Sequence, residues 1–539
     1  MLKVENLTFS YPLCSQPALN DLSFTVQKGE FIALCGTTGG GKTTLLRLLK
    51  KELAPLGDLS GNIYINGANQ NDLSAAQSAG RIGFVMQNPE QQIVTDKVWH
   101  ELAFGLENLN LPQEVIARKI AEISAYFGIE DWFDKKVSEL SGGQKQLLNL
   151  AAVMVMEPEI LILDEPTAQL DPVAAADFIA AIKKLNRELS LTVIIAEHRL
   201  EEIIPLCDKL FILENGRPLF YDLPKKVAAA VKNTPEVLNF MPSAVRLFAA
   251  VGEGEECPLD VCEGRAYVEN NFNNDVKKIE PLLYTHSQNA ALELKNVCFR
   301  YDKNLPDVLR DLSFTVYENE IFCIVGGNGS GKTTMLSVAA ALEKPYFGSV
   351  KVFGKKLKEY KNQSLYKECL SMLPQDVQTV FLKNTVKEEL DGFVPPYDMQ
   401  DLYGKHPYDL SGGQQQLLAL AKVLATKPKL LLLDEPTKGL DANAKLHLIQ
   451  ILKDLKSDGV TVVLVTHDIE FAALCADRCA MFFRGEIVSC DIPRGFFSSN
   501  SIYTTAAHRI TRGYYTNAIT VEDAAALCLQ NGRRCKKAK

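Results

Sequence analysis

The sequence predicts an α/β fold that is built twice along one chain. LNDLSFTV at 19–26 recurs as LRDLSFTV at 309–316, and LDEPT at 163–167 recurs at 433–437. Each copy places a glycine-rich segment between an apolar run and a helical pattern, and later apolar runs end in carboxylates. Short, unbroken apolar runs are typical of strands buried on both faces of a parallel sheet.

The duplication divides the 539 residues into modules and connecting segments, because a chain of this length is too long for one core. We expect a first module at 1–223, a linker at 224–291, a second module at 292–490 and a C-terminal tail at 491–539. The linker is expected to contain a little helix at about 224–250. The tail ends in RRCKKAK; we expect it to be solvated and disordered, and contact with anionic lipid is the alternative.

The composition argues against several classes of protein. The formal net charge is -8, whereas nucleic-acid binders usually carry a basic balance. The 13 cysteines are scattered without a CxxC pair, which disfavours zinc and iron–sulfur sites and fits free thiols in a reducing cytosol. No stretch approaches the roughly 18–20 apolar residues that span a bilayer, and no signal region is present. Any membrane role is therefore expected to come through a partner.

The two glycine-rich segments are candidate phosphate-binding loops, GTTGGGKT at 36–43 and GGNGSGKT at 326–333. Glycines let backbone N–H groups point at phosphate oxygens, and the following helix adds the positive end of its dipole. The lysine of each loop is expected to reach the β- and γ-phosphates of ATP, and the threonine after it to bind Mg²⁺. The predicted nucleotide-binding residues are Gly36, Gly39, Gly41, Lys42, Thr43 and Thr44, then Gly326, Gly329, Gly331, Lys332, Thr333 and Thr334. The alternative is a glycine-rich turn before a helix.

Two carboxylates follow an apolar strand in each copy, in ILILDE and in LLLLDE. We expect the first carboxylate, Asp164 or Asp434, to hold Mg²⁺, usually through water. The second, Glu165 or Glu435, is expected to act as general base on the attacking water. The alternative is an acidic surface turn.

A histidine ends a later apolar strand in each copy, His198 in VIIAEHR and His467 in VLVTHD. We expect these histidines to contact the γ-phosphate and orient the water; a structural histidine is the alternative. Gln87 and Gln375 follow other strand patterns, and each could ligate Mg²⁺ or the water, the alternative being a solvated loop amide.

Two tyrosines complete the predicted sites. Tyr11 and Tyr301 could stack on the adenine ring, because every base offers a π-face; an edge-strand aromatic is the alternative. The predicted magnesium ligands are Thr43, Gln87 and Asp164 in the first copy and Thr333, Gln375 and Asp434 in the second.

The motif LSGGQ, together with these motifs in this order, resembles the ATP-binding-cassette (ABC) family over nearly all of both modules. The resemblance implies two P-loop ABC-type nucleotide-binding domains, each with a RecA-like core sheet, an antiparallel β subdomain and a helical subdomain. It implies ATP hydrolysis and head-to-tail pairing, in which the LSGGQ of one domain completes the site of the other. On that basis the Lys332 site would use Ser141, Gly142, Gly143 and Gln144, and the Lys42 site would use Ser411, Gly412, Gly413 and Gln414. Both copies keep the base and the histidine, so we expect two hydrolytic sites.

The segment QNPEQQIV…ELAFGLEN, which starts at Gln87, resembles the ATPase subunits of energy-coupling-factor importers of vitamins and transition-metal ions. The resemblance implies an integral membrane T component, a substrate-binding S component and a peripheral position on the cytoplasmic face of the cell membrane. It implies no nucleic-acid partner and no directly bound small molecule other than ATP. Glu90, Glu101 and Glu107 could offer carboxylates to basic coupling helices, or form a solvated helical face.

The second helical subdomain is expected to be shortened, since the residues missing from the second copy lie between Leu390 and Leu410. The competing function is that of a soluble tandem ABC ATPase acting on ribosomes or DNA. Against it, the linker has no long charged run, and N-terminal cysteine clusters and long coiled-coil or zinc insertions are absent from the sequence.

Overall fold

The computed structural model describes residues 1–12, 16–198, 200–252, 256–280, 287–361 and 364–533. The chain divides into two compact units, Met1–Pro242 and Ser243–Lys539. Each unit contains one four-stranded and one six-stranded sheet together with helices, which confirms the prediction of a duplicated α/β fold. Within the described ranges, no helix combines the length and the apolar character that crossing a membrane requires.

The first unit opens with an antiparallel sheet. Its strands are β1 (Leu2–Ser10), β2 (Leu19–Val26), β4 (Asp58–Ile65) and β5 (Ala68–Asn69), in the order β2-β1-β4-β5. Along β1, residues such as Leu2 and Val4 are buried and Lys3 between them is exposed, as the period of two in a strand requires.

The core sheet of the first unit is parallel except at one edge. Its strands are β3 (Phe31–Cys35), β6 (Ile82–Val85), β7 (Ile160–Asp164), β8 (Thr192–Ala196), β9 (Lys209–Glu214) and β10 (Arg217–Asp222). Their order is β10-β9-β3-β8-β7-β6, with β10 antiparallel to β9. β3, β7 and β8 are buried along their whole length. The carboxyl ends of the parallel strands therefore meet at one edge, where ligands bind in open α/β sheets.

The first unit contains nine α-helices in its described residues, and three of them form a separate subdomain. The nine helices are α1 (Lys42–Leu48), α2 (Ala75–Arg81), α3 (Val98–Asn108), α4 (Gln113–Phe127), α5 (Gly142–Met154), α6 (Pro172–Leu189), α7 (Leu200–Ile203), α8 (Pro224–Ala230) and α9 (Pro235–Leu238). α3, α4 and α5 share an apolar core that includes Leu102, Ile120 and Leu148, and they are the helical subdomain of the first unit.

The second unit repeats both sheets. Its strands are β11 (Ala290–Phe299), β12 (Leu309–Tyr317), β13 (Ile321–Val325), β14 (Phe347–Val352), β15 (Lys355–Lys356), β16 (Leu370–Leu373), β17 (Leu430–Asp434), β18 (Thr461–Thr466), β19 (Arg478–Phe483) and β20 (Glu486–Asp491). The antiparallel order is β12-β11-β14-β15 and the core order is β16-β17-β18-β13-β19-β20. Each strand therefore has the same neighbours as its counterpart in the first unit.

The second unit contains more helices than a module alone. They are α10 (Ser243–Val251), α11 (Val261–Asn271), α12 (Lys332–Ala339), α13 (Val386–Leu390), α14 (Gly412–Leu424), α15 (Ala442–Ser457), α16 (Ile469–Cys475), α17 (Pro493–Ser499), α18 (Ala506–Thr511) and α19 (Val521–Asn531). α13 has five residues where α3 has eleven. In the described chain between α13 and α14, no α-helix corresponds to α4.

The expectation of a solvated, disordered tail is wrong for the part of it that the structure describes. α18 and α19 pack with α10 and α11 around one apolar core that contains Leu247, Val268, Ile510, Tyr515 and Leu527. We call these four helices the clasp. The predicted linker and the predicted tail therefore bury each other's apolar side chains. The final residues 534–539, most of the basic RRCKKAK sequence, lie outside the described residues.

Polar contacts also hold the clasp together. The side chain of Asn531 accepts the backbone N–H of Val276 at 2.7 Å, and that of Asn517 accepts the N–H of Ile279 at 2.8 Å. Tyr514 donates its hydroxyl to the carbonyl of Phe272. These bonds fix the chain after α11 against the C-terminal helices.

Candidate functional site

The first phosphate loop (residues 36–43) leaves β3 and enters α1 through left-handed backbone. Gly41 has φ 96° directly before α1. Gly36 has φ 147°, and a Cβ there would collide with the carbonyl oxygen of Leu213. Both positions therefore require glycine. Lys42 is buried and its Nζ donates to two carbonyl oxygens of the loop, at 2.9 and 3.0 Å.

The second phosphate loop (residues 326–333) has the same geometry. Gly331 has φ 105° before α12, and the Nζ of buried Lys332 donates to two loop carbonyls at 2.9 and 2.8 Å. The structure thus places the predicted nucleotide-binding residues in equivalent loops and first helical turns, namely Gly36, Gly39, Gly41, Lys42, Thr43 and Thr44, and Gly326, Gly329, Gly331, Lys332, Thr333 and Thr334.

Two buried aspartates end β7 and β17 beside the loops. Asp164 accepts a hydrogen bond from the Thr43 hydroxyl at 3.1 Å. Asp434 is fully buried, and its oxygens meet no donor at hydrogen-bonding geometry in the described part of the chain. Burial raises the pKa of each carboxyl to about 6, with the neighbouring glutamate adding to the rise. Buried oxygens with unused lone pairs suit a hard cation such as Mg²⁺.

The glutamates that follow, Glu165 and Glu435, have left-handed backbone with φ of 46° and 51°. Each is held by its backbone N–H, which donates to the carbonyl oxygen of Ala196 or of Val465 at 2.9 Å. For a non-glycine residue such a conformation costs about 1–3 kcal/mol, and strain of this kind concentrates at functional sites. The same strain in both units makes the two glutamates candidate functional residues.

In the first unit three predicted residues meet. The Oε1 of Glu165 lies 2.8 Å from the Nε2 of His198, and the Oε2 accepts the side-chain amide of Gln87 at 2.7 Å. The strand end that carries His198 and the loop that carries Gln87 therefore both contact the carboxylate of Glu165, which lies in the turn after β7.

In the second unit the glutamate and the histidine meet differently. The Oε2 of Glu435 lies 2.9 Å from the Nδ1 of His467 and also accepts the backbone N–H of that histidine at 3.3 Å. Gln375 is exposed and, within the described residues, forms no hydrogen bond with Glu435. The predicted trio is thus assembled in the first unit, and only the Glu–His pair in the second.

The two tyrosines lie against the helices that follow the phosphate loops. Tyr11 and Thr44 share a hydroxyl hydrogen bond of 2.9 Å, as do Tyr301 and Thr334. Each ring also packs edge-on against the phenylalanine two residues earlier. Tyr11 is half-buried and Tyr301 exposed, so each leaves part of its ring accessible beside the loop.

The LSGGQ residues begin α5 and α14 in the helical subdomains. Ser141 and Ser411 each cap their helix, accepting the backbone N–H of Gln144 or Gln414 at 3.3 Å. In the described chain no hydrogen bond joins them to the phosphate loop of their own unit. The residues so placed are Ser141, Gly142, Gly143 and Gln144, and Ser411, Gly412, Gly413 and Gln414.

The prediction that Glu90, Glu101 and Glu107 offer carboxylates to basic coupling helices is wrong for Glu101. Glu90 remains exposed, although it pairs with Lys145 at 2.6 Å. Glu101 is buried and accepts the backbone N–H groups of Val94 and Thr95 at 3.1 and 2.8 Å. The buried side chain of Glu101 therefore holds the loop before α3 in place through hydrogen bonds.

Sequence reasoning missed one carboxylate at the first site, Glu197. It is buried directly before His198 and accepts hydrogen bonds from Thr167. The signal was present in the sequence, since VIIAEHR has glutamate where VLVTHD has threonine. The role of this glutamate can be recognised only when the neighbours of the Glu197 side chain are known.

Comparison with known proteins gives consistent matches. The family model described as "ABC transporter" matches residues 19–168 and 309–438. A Bacillus cereus protein provisionally named an ABC transporter ATP-binding protein is 41% identical over 542 residues, 98% of each chain. YkoD of Bacillus subtilis, provisionally named an HMP/thiamine import ATP-binding protein, is 32% identical over 519 residues, 93% of each chain.

Among solved structures, cbiO1 of Clostridium perfringens, part of the ABC transporter complex cbiONQ, is 33% identical. It covers 44% of this chain and 92% of its own, with a TM-score of 0.39. The similarity to the two Bacillus proteins, in contrast, extends over both units.

Proposed function

The chain belongs to the ABC transporter family, and we propose that it is the ATP-hydrolysing subunit of an importer of energy-coupling-factor type. It is a tandem ATPase, since the family match occurs in both units. The importer would take up a vitamin or a metal ion through separate membrane subunits. The observation that carries this proposal is the near full-length similarity to a relative named for HMP/thiamine import.

A matched pair of exposed apolar side chains supports a protein partner. Val94 is 66% exposed and Leu382 is 80% exposed, and they occupy the same position in the two copies. Their backbone N–H groups are held by the buried carboxylates of Glu101 and Glu389. Side chains exposed in this way on the same loop of both copies are available to a protein partner. We place the membrane T component here, with the S component beyond it and this chain peripheral on the cytoplasmic face.

The site geometry supports ATP hydrolysis at both units. The lysine of each loop would bind phosphate, and the glutamate would accept the proton of the attacking water while the histidine orients it. Mg²⁺, when bound, would offset charge on the β- and γ-phosphates. The residues that would hold it are Thr43, Gln87 and Asp164, and Thr333, Gln375 and Asp434. Each LSGGQ would complete the site of the other unit.

Separate replacement of the two bases tests this assignment. E165Q and E435Q should each lower the steady-state ATPase rate without abolishing it, and together they should abolish it, because each removes one general base. The measurement is phosphate release, with E30Q as a control outside both sites. A single substitution that leaves turnover untouched would show that its site does not hydrolyse ATP.

Docking is tested by purification from detergent-solubilised membranes. The tagged chain should retain integral membrane proteins identifiable by mass spectrometry. The double variant V94K/L382K should lose them while keeping its ATPase activity. Leu189→Lys is the matched control, since Leu189 is also exposed but lies at the end of α6. Recovery of ribosomes instead of membrane proteins would contradict the importer assignment.

A further inference from the structure

Glu197 ties two parts of the first site together. It is 3% exposed. Its Oε1 accepts both the backbone N–H and the hydroxyl of Thr167, at 2.8 and 2.6 Å. Its Oε2 accepts the backbone N–H of His198 at 3.1 Å. Because Thr167 lies two residues after Glu165, this carboxylate joins the turn that carries the predicted base to the strand end that carries the histidine.

The second unit joins the same two segments without a carboxylate. The residue before His467 is Thr466, whose hydroxyl lies 3.4 Å from that of Thr437 and accepts the backbone N–H of Asp468 at 3.0 Å. The backbone N–H of His467 donates to Glu435 itself, at 3.3 Å. In the second unit the predicted base therefore accepts a hydrogen bond that Glu197 accepts in the first.

The two units also differ in how the predicted base contacts its histidine. In the first unit Glu165 accepts the amide of Gln87 and faces the Nε2 of His198. In the second unit Glu435 faces the Nδ1 of its histidine, the opposite side of the ring. The histidine rings of the two units thus have different orientations relative to their glutamates.

A purely structural role explains Glu197 less well. Burial raises the pKa of this carboxyl, the hydrogen bonds from Thr167 oppose the rise, and the nearby Glu165 adds to it. A buried second carboxylate beside Glu165 is therefore electrostatically unfavourable. Thr466 links the same two segments in the second unit without a charge, so structure alone does not require the glutamate.

We propose that Glu197 is a positioning residue of the first ATP site, which sets the spacing of Glu165 and His198 and makes the two sites unequal in hydrolysis. The proposal rests on the proposed function, in which Glu165 and Glu435 are the bases. Glu197 acts on the reaction through Thr167 and His198, the residues to which it is hydrogen-bonded.

The test uses the full chain carrying E435Q, so that turnover reports the first site. E197T, which introduces the residue of the second copy, should lower kcat about tenfold and leave KM for ATP within about twofold, since misplacement affects the reacting geometry more than binding. E197Q keeps the shape and one acceptor oxygen, and should lower kcat about threefold. The matched control is E30Q, a carboxylate paired with Lys209 outside the site, which should keep kcat within about twofold.

Equal kcat in E197T, E197Q and the parent chain would overturn the proposal. A rise in KM that accounts for the whole loss would also overturn it, because that result indicates a binding or folding defect. Turnover that persists in E165Q/E435Q would instead overturn the assignment of the bases and this proposal with it. If E435Q alone abolishes turnover, the two-site assignment fails, and the same tenfold and threefold losses are then expected in the otherwise unaltered chain.

Discussion

Replacing Asp434 by asparagine should stabilise the second unit in the absence of nucleotide and divalent cations. Burial raises the pKa of Asp434 from 3.8 to about 6, although the Thr333 hydroxyl beside it acts in the opposite direction. A rise of that size corresponds to about 3 kcal/mol of destabilisation when the group is ionised. The amide of asparagine is also buried without an assured partner, which costs about 1 kcal/mol. The net expected gain is about 2 kcal/mol.

The sign of the pH dependence is part of this prediction. A carboxyl with a raised pKa destabilises the folded state above that pKa, and the destabilisation disappears as pH falls towards the value of the unfolded chain. The gain of D434N should therefore be full above about pH 7 and fade between about pH 6 and pH 4.

Urea denaturation in EDTA, followed by circular dichroism at pH 7.5 and pH 4.5, measures the gain. Both tryptophans, Trp99 and Trp132, belong to the first unit, so their fluorescence is an internal control. Equal stability of D434N and the parent at pH 7.5, or the same gain at both pH values, would refute the reasoning. D434N should also lose the stabilisation of the second unit by ATP with Mg²⁺.

Two further predictions concern packing in the second unit. K422A should destabilise it by about 2–3 kcal/mol, because it leaves the buried carboxylate of Glu389 without its cation; urea denaturation checks this, and E389Q in the same chain should recover part of the loss. The first unit has an alanine, residue 152, at the position of Lys422, so this ion pair has no counterpart there. If K422A were as stable as the parent chain, the assigned ion pair would be contradicted. Y515A should cost about 3–4 kcal/mol because this side chain is fully buried in the clasp, measured by calorimetry. L529A, in α19, should change stability by less than about 0.5 kcal/mol, since Leu529 is exposed, and equal effects of the two would contradict the packing.

The strand–loop–helix units could be predicted from sequence because their signals are local. The apolar runs before Lys42 and before Asp164, for example, are continuous and short, and each ends where the chain must turn. The shortened second helical subdomain was also readable, because its flanking motifs align without a gap as far as Leu390.

The clasp could not be predicted in the same way. Its helices, and the turns that follow them, contact residues far along the chain; the bond between Tyr514 and Phe272, for example, joins residues 242 positions apart. α11 and α19 alone have only a weak amphipathic pattern, so periodicity does not reveal that they are buried. The role of Glu197 was hidden for a related reason, since Thr167 becomes its neighbour only when β7 and β8 pair.

The clasp also joins segments that lie far apart along one polypeptide. α11 and α19 are equal in length and 260 positions apart, and the residue before each helix accepts the backbone N–H three positions on. α10 packs on α19, and α11 packs on α18, so each helix from the first half of the clasp is covered by one from the second half. Because both halves belong to the same chain, their association is intramolecular and does not depend on protein concentration.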